Sequence, residues 1–208
     1  MGTATVGFKK LTIRILDGKP ATQDENLFVI EGKKDKGATS SAKVSGLAVD
    51  PVKTWGSNGV YHTSGKGVGD GKIDFDLIDI PDKVQSAILG YAIDEDEIIT
   101  AGSDTQAPDC SILIEDYDIR GNNFLLGFLT GVFSYDGVEI ETLQGKASEI
   151  KPDTLTYSVG SDDNGDFFKK YSGKDTAAQD KVRAALEMKT THPNGPVVGQ
   201  ATVGDAKL

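Results

Sequence analysis

Residues 72–90 read KIDFDLIDIPDKVQSAILG, and the fold is decided in this stretch. Its first half alternates. Ile73, Phe75 and Leu77 fall on one side and Asp74 and Asp76 on the other, the pattern of a strand with one buried face. Pro81 then stands where a first helical residue would, with Asp82 in the first turn, where the helix dipole favours negative charge. Val84, Ala87, Ile88 and Tyr91 follow at helical spacing, and Gly90 supplies a left-handed stop. So short a helix is marginal alone, because nucleation is costly, so it is predicted to lie on a sheet.

Working outward, other segments repeat the strand pattern. Residues 7–16 place Leu11, Ile13 and Ile15 on one face, and residues 25–32 and 41–49 give two more strands around a charged turn. Trp55 and residues 56–64 lead to a further strand, and GKGVGDGK (65–72) reads as the pliable tip of a hairpin joining it to the acidic strand. After the helix, residues 95–102 and 108–117 read as strands, the latter with Cys110, Ile112 and Ile114 inward. RGNN (120–123) is a turn, and residues 123–143 hold the most apolar run, read as one central buried strand. Its end, GVEIETL, alternates Val138 and Ile140 with Glu139 and Glu141. Residues 153–160 complete a β-rich body, 161–175 read as loop, and Thr176 to Met188 form a helix with Val182, Ala185 and Leu186 on one stripe.

Composition agrees with this. The chain of 208 residues suits one domain with an appendage, and 38% hydrophobic residues beside 25 glycines indicate turns and short strands, not a helical bundle. No apolar run approaches the about 20 residues needed to cross a bilayer. The polar start predicts no signal peptide, and Val6 stands where a myristoylation motif needs Ser or Thr. A single cysteine, Cys110, rules out an internal disulfide and fits a reducing compartment. A soluble intracellular product is expected.

Net charge is −10, and it is unevenly placed. Residues 1–72 carry eleven bases and seven acids; residues 73–118 carry thirteen acids and only Lys83 as a base; the remainder carries ten bases and twelve acids. Such a chain has either an ordinary solvated acidic surface or one acidic face and a more basic region, able to join subunits and to repel polyanions. Tight nucleic-acid binding is disfavoured, since it needs a basic footprint.

Chemistry-bearing motifs are weak. The 65–71 segment lacks the Gly-Lys-Ser/Thr ending of a phosphate loop and precedes a strand. Asp162, Asn164 and Asp166 have calcium-loop spacing, but the glycine falls at 165 and Gly173 stands where a Glu is required, so a turn is expected. His62 and His192 have no Cys or His at ligand spacing, there is no nucleophile elbow, and Cys110 reads as a small core residue. No catalytic, cofactor or metal residue is assigned.

Several blocks, in order, resemble the major tail proteins (tail tube proteins) of long-tailed, non-contractile bacteriophages. They are residues 6–11 (VGFKKL), 45–50 (SGLAVD), Ile80-Pro81 leading to Leu89-Gly90, Ala107-Pro108, and 131–136 (GVFSYD), spanning roughly 6–160. The resemblance implies a mostly β fold of two packed antiparallel sheets with a short flanking helix. It also implies hexameric rings stacked into a tube, whose lumen conducts DNA without tight binding. The partners are then further copies of the chain and the tape-measure, tail-tip and tail-terminator proteins, with no cofactor and no membrane. The product would be made in the host cytoplasm and reside in the virion tail. On this reading residues 1–160 are the tube domain and 161–208 an extension with a helix about 176–188 and a mobile arm that orders on a neighbour.

Within that frame, Asp74 and Asp76 face an acidic lumen or, equally, an ordinary solvent face. Gly65, Lys66, Gly67, Val68, Gly69, Asp70 and Gly71 form a ring-stacking loop, and Lys33, Lys34 and Lys36 are basic partners for an acidic neighbour. The rival reading is a monomeric β-sandwich module, carbohydrate-binding or adhesin-like, with Trp55, Tyr61 and Tyr91 as a platform, against which aromatics are only 7% and scattered. A hydrolase on a β scaffold lacks an acid–base set.

Overall fold

A computed structural model describes residues 7–34, 36–65, 67–138 and 152–189. Within them the strands are β1 (Lys10–Ile15), β2 (Leu27–Ile30), β3 (Ala38–Ser45), β4 (Val52–Gly56), β5 (Gly59–Ser64) and β6 (Lys72–Ile78). Helix α1 (Asp82–Leu89) follows, then β7 (Ala92–Ile93), β8 (Ile99–Thr100), β9 (Cys110–Tyr117), β10 (Asn123–Phe128) and β11 (Thr130–Tyr135). The chain continues with β12 (Asp153–Gly160), β13 (Phe168–Gly173) and α2 (Thr176–Ala185).

The alternation of the acidic strand is realised as read. Ile73, Phe75 and Leu77 are fully buried, and Asp74 and Asp76 lie on the opposite face. β6 runs antiparallel between β3 and β12, giving a four-stranded sheet in the order β11-β12-β6-β3. It packs on a five-stranded sheet ordered β13-β10-β9-β1-β2, whose inner face contributes Leu11, Ile13, Ile112 and Phe128. Phe75, Phe133 and Tyr157 meet between the layers, with ring centroids 6.3 and 5.0 Å apart in sequence. Two antiparallel sheets over one apolar layer is the sandwich expected from the sequence. α1 adds Ile88 and Leu89 to that layer and ends at Gly90, at φ 73°. There a β-carbon would sit 2.0 Å from the Gln106 carbonyl oxygen, so only glycine fits. Pro81 takes the cap position, one place earlier than read, and its carbonyl accepts from Val84 and Gln85.

The five-stranded sheet is buried on both faces. Leu27, Leu113 and Leu125 on its outer side are covered by Val182, Leu186 and Met188, forming a second apolar cluster. Ser111 donates to the Leu186 carbonyl at 2.7 Å, and Glu115 binds Lys10 and Arg183, each at 2.5 Å, fixing α2 to the sheet. Arg14, only 1% exposed, donates to the carbonyls of Ile15, Lys19, Asn26 and Glu187 and pairs with Asp17 at 3.1 Å. One buried guanidinium thus ties β1, the following loop and the segment after α2 together, with an acceptor at each of its three nitrogens.

Several expectations are corrected. The apolar run after Asn123 is not one strand: it breaks at Leu129, whose N–H donates to the Phe167 carbonyl at 3.0 Å, and β10 and β11 belong to different sheets. Residues 168–173 are not loop but the edge strand β13, paired with β10 from Asn123↔Gly173 to Phe128↔Phe168. In α2 the inward stripe is Gln179, Val182 and Leu186, whereas Ala185 is exposed. Residues 95–102 contribute only β8, in a two-residue ribbon with β7. The alternation of Glu139, Ile140 and Glu141 and the arm beyond 189 lie outside the described residues.

Candidate assembly interface

The outer face of the four-stranded sheet is built by cross-strand register. Lys72, Asp74 and Asp76 lie opposite Ser158, Thr156 and Thr154 on one side and Ser45, Lys43 and Ser41 on the other. Asp74 accepts from Thr156 Oγ1 at 3.1 Å and pairs with Lys72 at 3.0 Å. Lys72 chiefly, with Thr156, holds its carboxyl below the usual carboxylate range. Asp76 accepts from Ser41 Oγ at 2.6 Å and Thr154 Oγ1 at 3.0 Å. The face is therefore rich in hydroxyls. Its two carboxylates are balanced by Lys43 and Lys72, and its residues are exposed or half-exposed. Most of the thirteen acids of residues 73–118 lie elsewhere. Asp94 to Glu97, for instance, form the exposed turn between β7 and β8, where Asp94 Oδ1 accepts from the N–H groups of Asp96 and Ile98.

At one end of that face the chain leaves the body. Between β3 and β6 residues 46–65 and 67–71 form an arm whose tip is not the glycine-rich segment, correcting the sequence reading. The tip is Ser57–Asn58, both at positive φ, between β4 and β5, which pair only with each other. Two positive-φ residues make the turn that matches strand twist, and the Asn58-Gly59 pair was the sequence signal for it. Gly65 and residues 67–71 lie on one rail of the stem. A β-carbon on Gly46 would lie 2.0 Å from the Asp70 carbonyl oxygen, and one on Gly69 would lie 2.6 Å from those of Ala48 and Gly46. The glycines let two backbones touch. Gly65 and Asp70 are exposed, Val68 and Gly69 half-buried, Gly71 buried, and Lys66 falls outside the described residues. The arm carries Val52, Trp55 and Tyr61 at 67, 68 and 84% exposure.

Lys33 pairs with Glu31, and Lys36 with Asp24 at 3.3 Å; Lys34 is exposed beside them on the loop between β2 and β3. The three lysines are thus brought together on one loop, apart from the acidic turn on their own chain by sequence and by element.

A family model described as phage tail tube protein matches residues 3–191. The chain belongs to the phage tail tube protein family. No curated protein matches it. The match runs past Gly160 and includes β13 and α2. A tail tube protein is a structural component of the virion tail that self-assembles into a tube, not an enzyme. Two of the chemistry-bearing residues of this tail tube protein are taken up by packing and by a turn. Burial, with Asp109 nearby, pushes the buried Cys110 thiol up to about 12, which leaves it unreactive. His62 is exposed on β5, and His192 lies outside the described residues. Asp162 spends its carboxylate on the N–H groups of Asn164 and Asp166, at 3.0 and 2.8 Å, which makes a turn. Among the described residues no three His, Cys, Asp or Glu side chains gather as metal ligands, and no helix is long and apolar enough to cross a membrane. Tyr91 packs against the sandwich core while Trp55 and Tyr61 stand on the arm, so the three do not form one platform.

Proposed function

We propose that this tail tube protein polymerises as hexameric rings stacked into a tube, whose lumen is lined by the face bearing Asp74 and Asp76 and conducts DNA during ejection. The observation that carries the reading is a four-stranded sheet with a polar, uncovered face and two edges, β3 and β11, with no partner strand among the described residues. Exposed edges invite pairing, and joining β3 of one copy to β11 of the next closes the sheet and removes both. A bore walled by hydroxyls and lysine-matched carboxylates offers DNA no cationic groove, so phosphates pass without holding. Its anion repulsion is weaker than the net charge of the chain suggests, because Lys43 and Lys72 offset Asp74 and Asp76.

Ring stacking falls to the arm, with residues 65–71 as one rail of its stem. Lys33, Lys34 and Lys36 face acidic groups of a neighbouring copy, exchanging Glu31 and Asp24 for them. Such pairs order subunits more than they add affinity, at about 0–1 kcal/mol each. The tape-measure, tail-tip and tail-terminator proteins meet the ends of the tube. Negative-stain microscopy of the concentrated protein tests the reading: rings and hollow tubes are expected, and a lone particle at every concentration overturns it. In a map of the tube, Asp74 and Asp76 carboxylates directed away from the channel would overturn the lumen assignment alone.

A further inference from the structure

Beside the base of the arm the sandwich is open. Two adjoining cavities of about 440 and 520 Å³ run between β3 and the β10–β13 edge, sharing Val44, Leu126 and Lys170. Phe8, Leu47 and Phe168 complete the apolar side of a groove that Ser41 and Asp116 also line, and Phe168 is left 37% exposed. Resting on the tube reading above, we infer that this groove receives the tip of the arm of a second copy, with Trp55 and Tyr61 as the inserted side chains.

Three observations select this occupant. The tip exposes large apolar side chains, and its strands pair only with each other, so it has surface to bury and no place for it on its own sheets. The reach allows it: the eleven steps from Gly46 to Ser57 span at most roughly 36 Å at about 3.3 Å each, less where the stem turns at Gly46 and Ala48. In the next copy the tip meets a groove whose wall is the base of that copy's own arm, Val44 to Ala48. The chemistry fits as well. Lys170 lies at the rim with its ammonium 5.4 Å from the Phe124 ring centroid, and a tryptophan face is the best partner for such a cation. A knob and a hole on different surfaces of one chain make a heterologous contact, and one that runs from ring to ring does not close and so lengthens the tube.

Disulfide trapping tests this, since buried Cys110 does not compete. Tyr61→Cys and Phe168→Cys replace exposed side chains; the two single variants, mixed, assembled and oxidised, are expected to give a covalent dimer, and the double variant a ladder. Tyr61→Cys mixed with Lys181→Cys, exposed on α2 away from the groove, is expected to give neither. Tubes without the ladder, or a cross-link confined to one copy, overturn the groove assignment and leave the tube reading standing. Absence of assembly by the wild-type chain overturns both. Wild-type hydrogen exchange supplies a check free of substitutions. Residues 55–61 and 44–48 should both gain protection on going from free chain to tube, and protection of only one segment overturns the pairing.

Discussion

Replacing Trp55 by Ala separates assembly from folding. Trp55 is 68% exposed, so for a side chain of about 250 Å² roughly 170 Å² remains to be covered by a partner, worth up to ~4 kcal/mol at about 25 cal/mol per Å². One such contact per copy, lost, raises the critical concentration for tube formation by on the order of 10²–10³, since each 1.4 kcal/mol is about tenfold. The free chain has little to lose, because exposed substitutions usually stay within about 0.5 kcal/mol, or roughly 1–2 °C in Tm for a domain of this size. Sedimentation across a concentration series reads the first quantity, and circular dichroism melting of the dilute chain the second. Tubes at the wild-type critical concentration would refute the reasoning, because the exposed tryptophan would then have no partner. A Tm drop of several degrees would refute it differently, by showing that Trp55 packs on its own chain.

The remaining predictions concern the body. Arg14→Met removes a guanidinium that serves four carbonyls and Asp17, and should cost about 3–5 kcal/mol in urea unfolding, as breaking a buried pair does; a cost under ~1 kcal/mol would mean that α2 is held without it. Tyr157→Phe deletes the buried hydroxyl that donates to the Cys110 carbonyl at 2.8 Å and should cost about 1–3 kcal/mol. Burial above all raises that phenol well beyond the ordinary tyrosine range. One tyrosine should therefore fail to titrate in ultraviolet absorbance until the chain unfolds in alkali, and full titration of a folded chain would contradict this. Asp118 is held below the usual range chiefly by Asn122, and Asp162 chiefly by the Asp166 N–H. Folded values below the unfolded ones stabilise the chain above an unfolded carboxylate pKa of about 3.9, and that stability is lost as pH falls through the folded values. Tm should therefore stay level from about pH 7 to pH 5 and drop below about pH 4. An earlier drop, above pH 5, would point to other groups.

What was legible in the sequence is local. Ile73, Phe75 and Leu77 against Asp74 and Asp76 specify a half-buried strand wherever the chain runs, because a period of two needs only one covered face. Pro81, Asp82 and Gly90 likewise bound α1 through groups within a turn of each. Distant layers decided the rest. Arg14 alternates as an outward polar residue, yet α2 and Glu187 close over it, and nothing near it in sequence announces that second layer. The run through Leu129 is apolar on both sides of the break, so hydropathy cannot show it passing from one sheet to the other. The strand residues of β13 are half-exposed and polar, legible as a strand only once β10 offers an edge. Gly46 and Gly69 read as flexibility, but the fold uses them to let two backbones touch. The chain by itself thus determined which residues alternate and where helices stop, through neighbours within a few positions. Only the tertiary structure decided which edges stay open, which cations are buried and where the apolar arm projects, because those depend on hydrogen bonds and contacts between segments far apart in the chain.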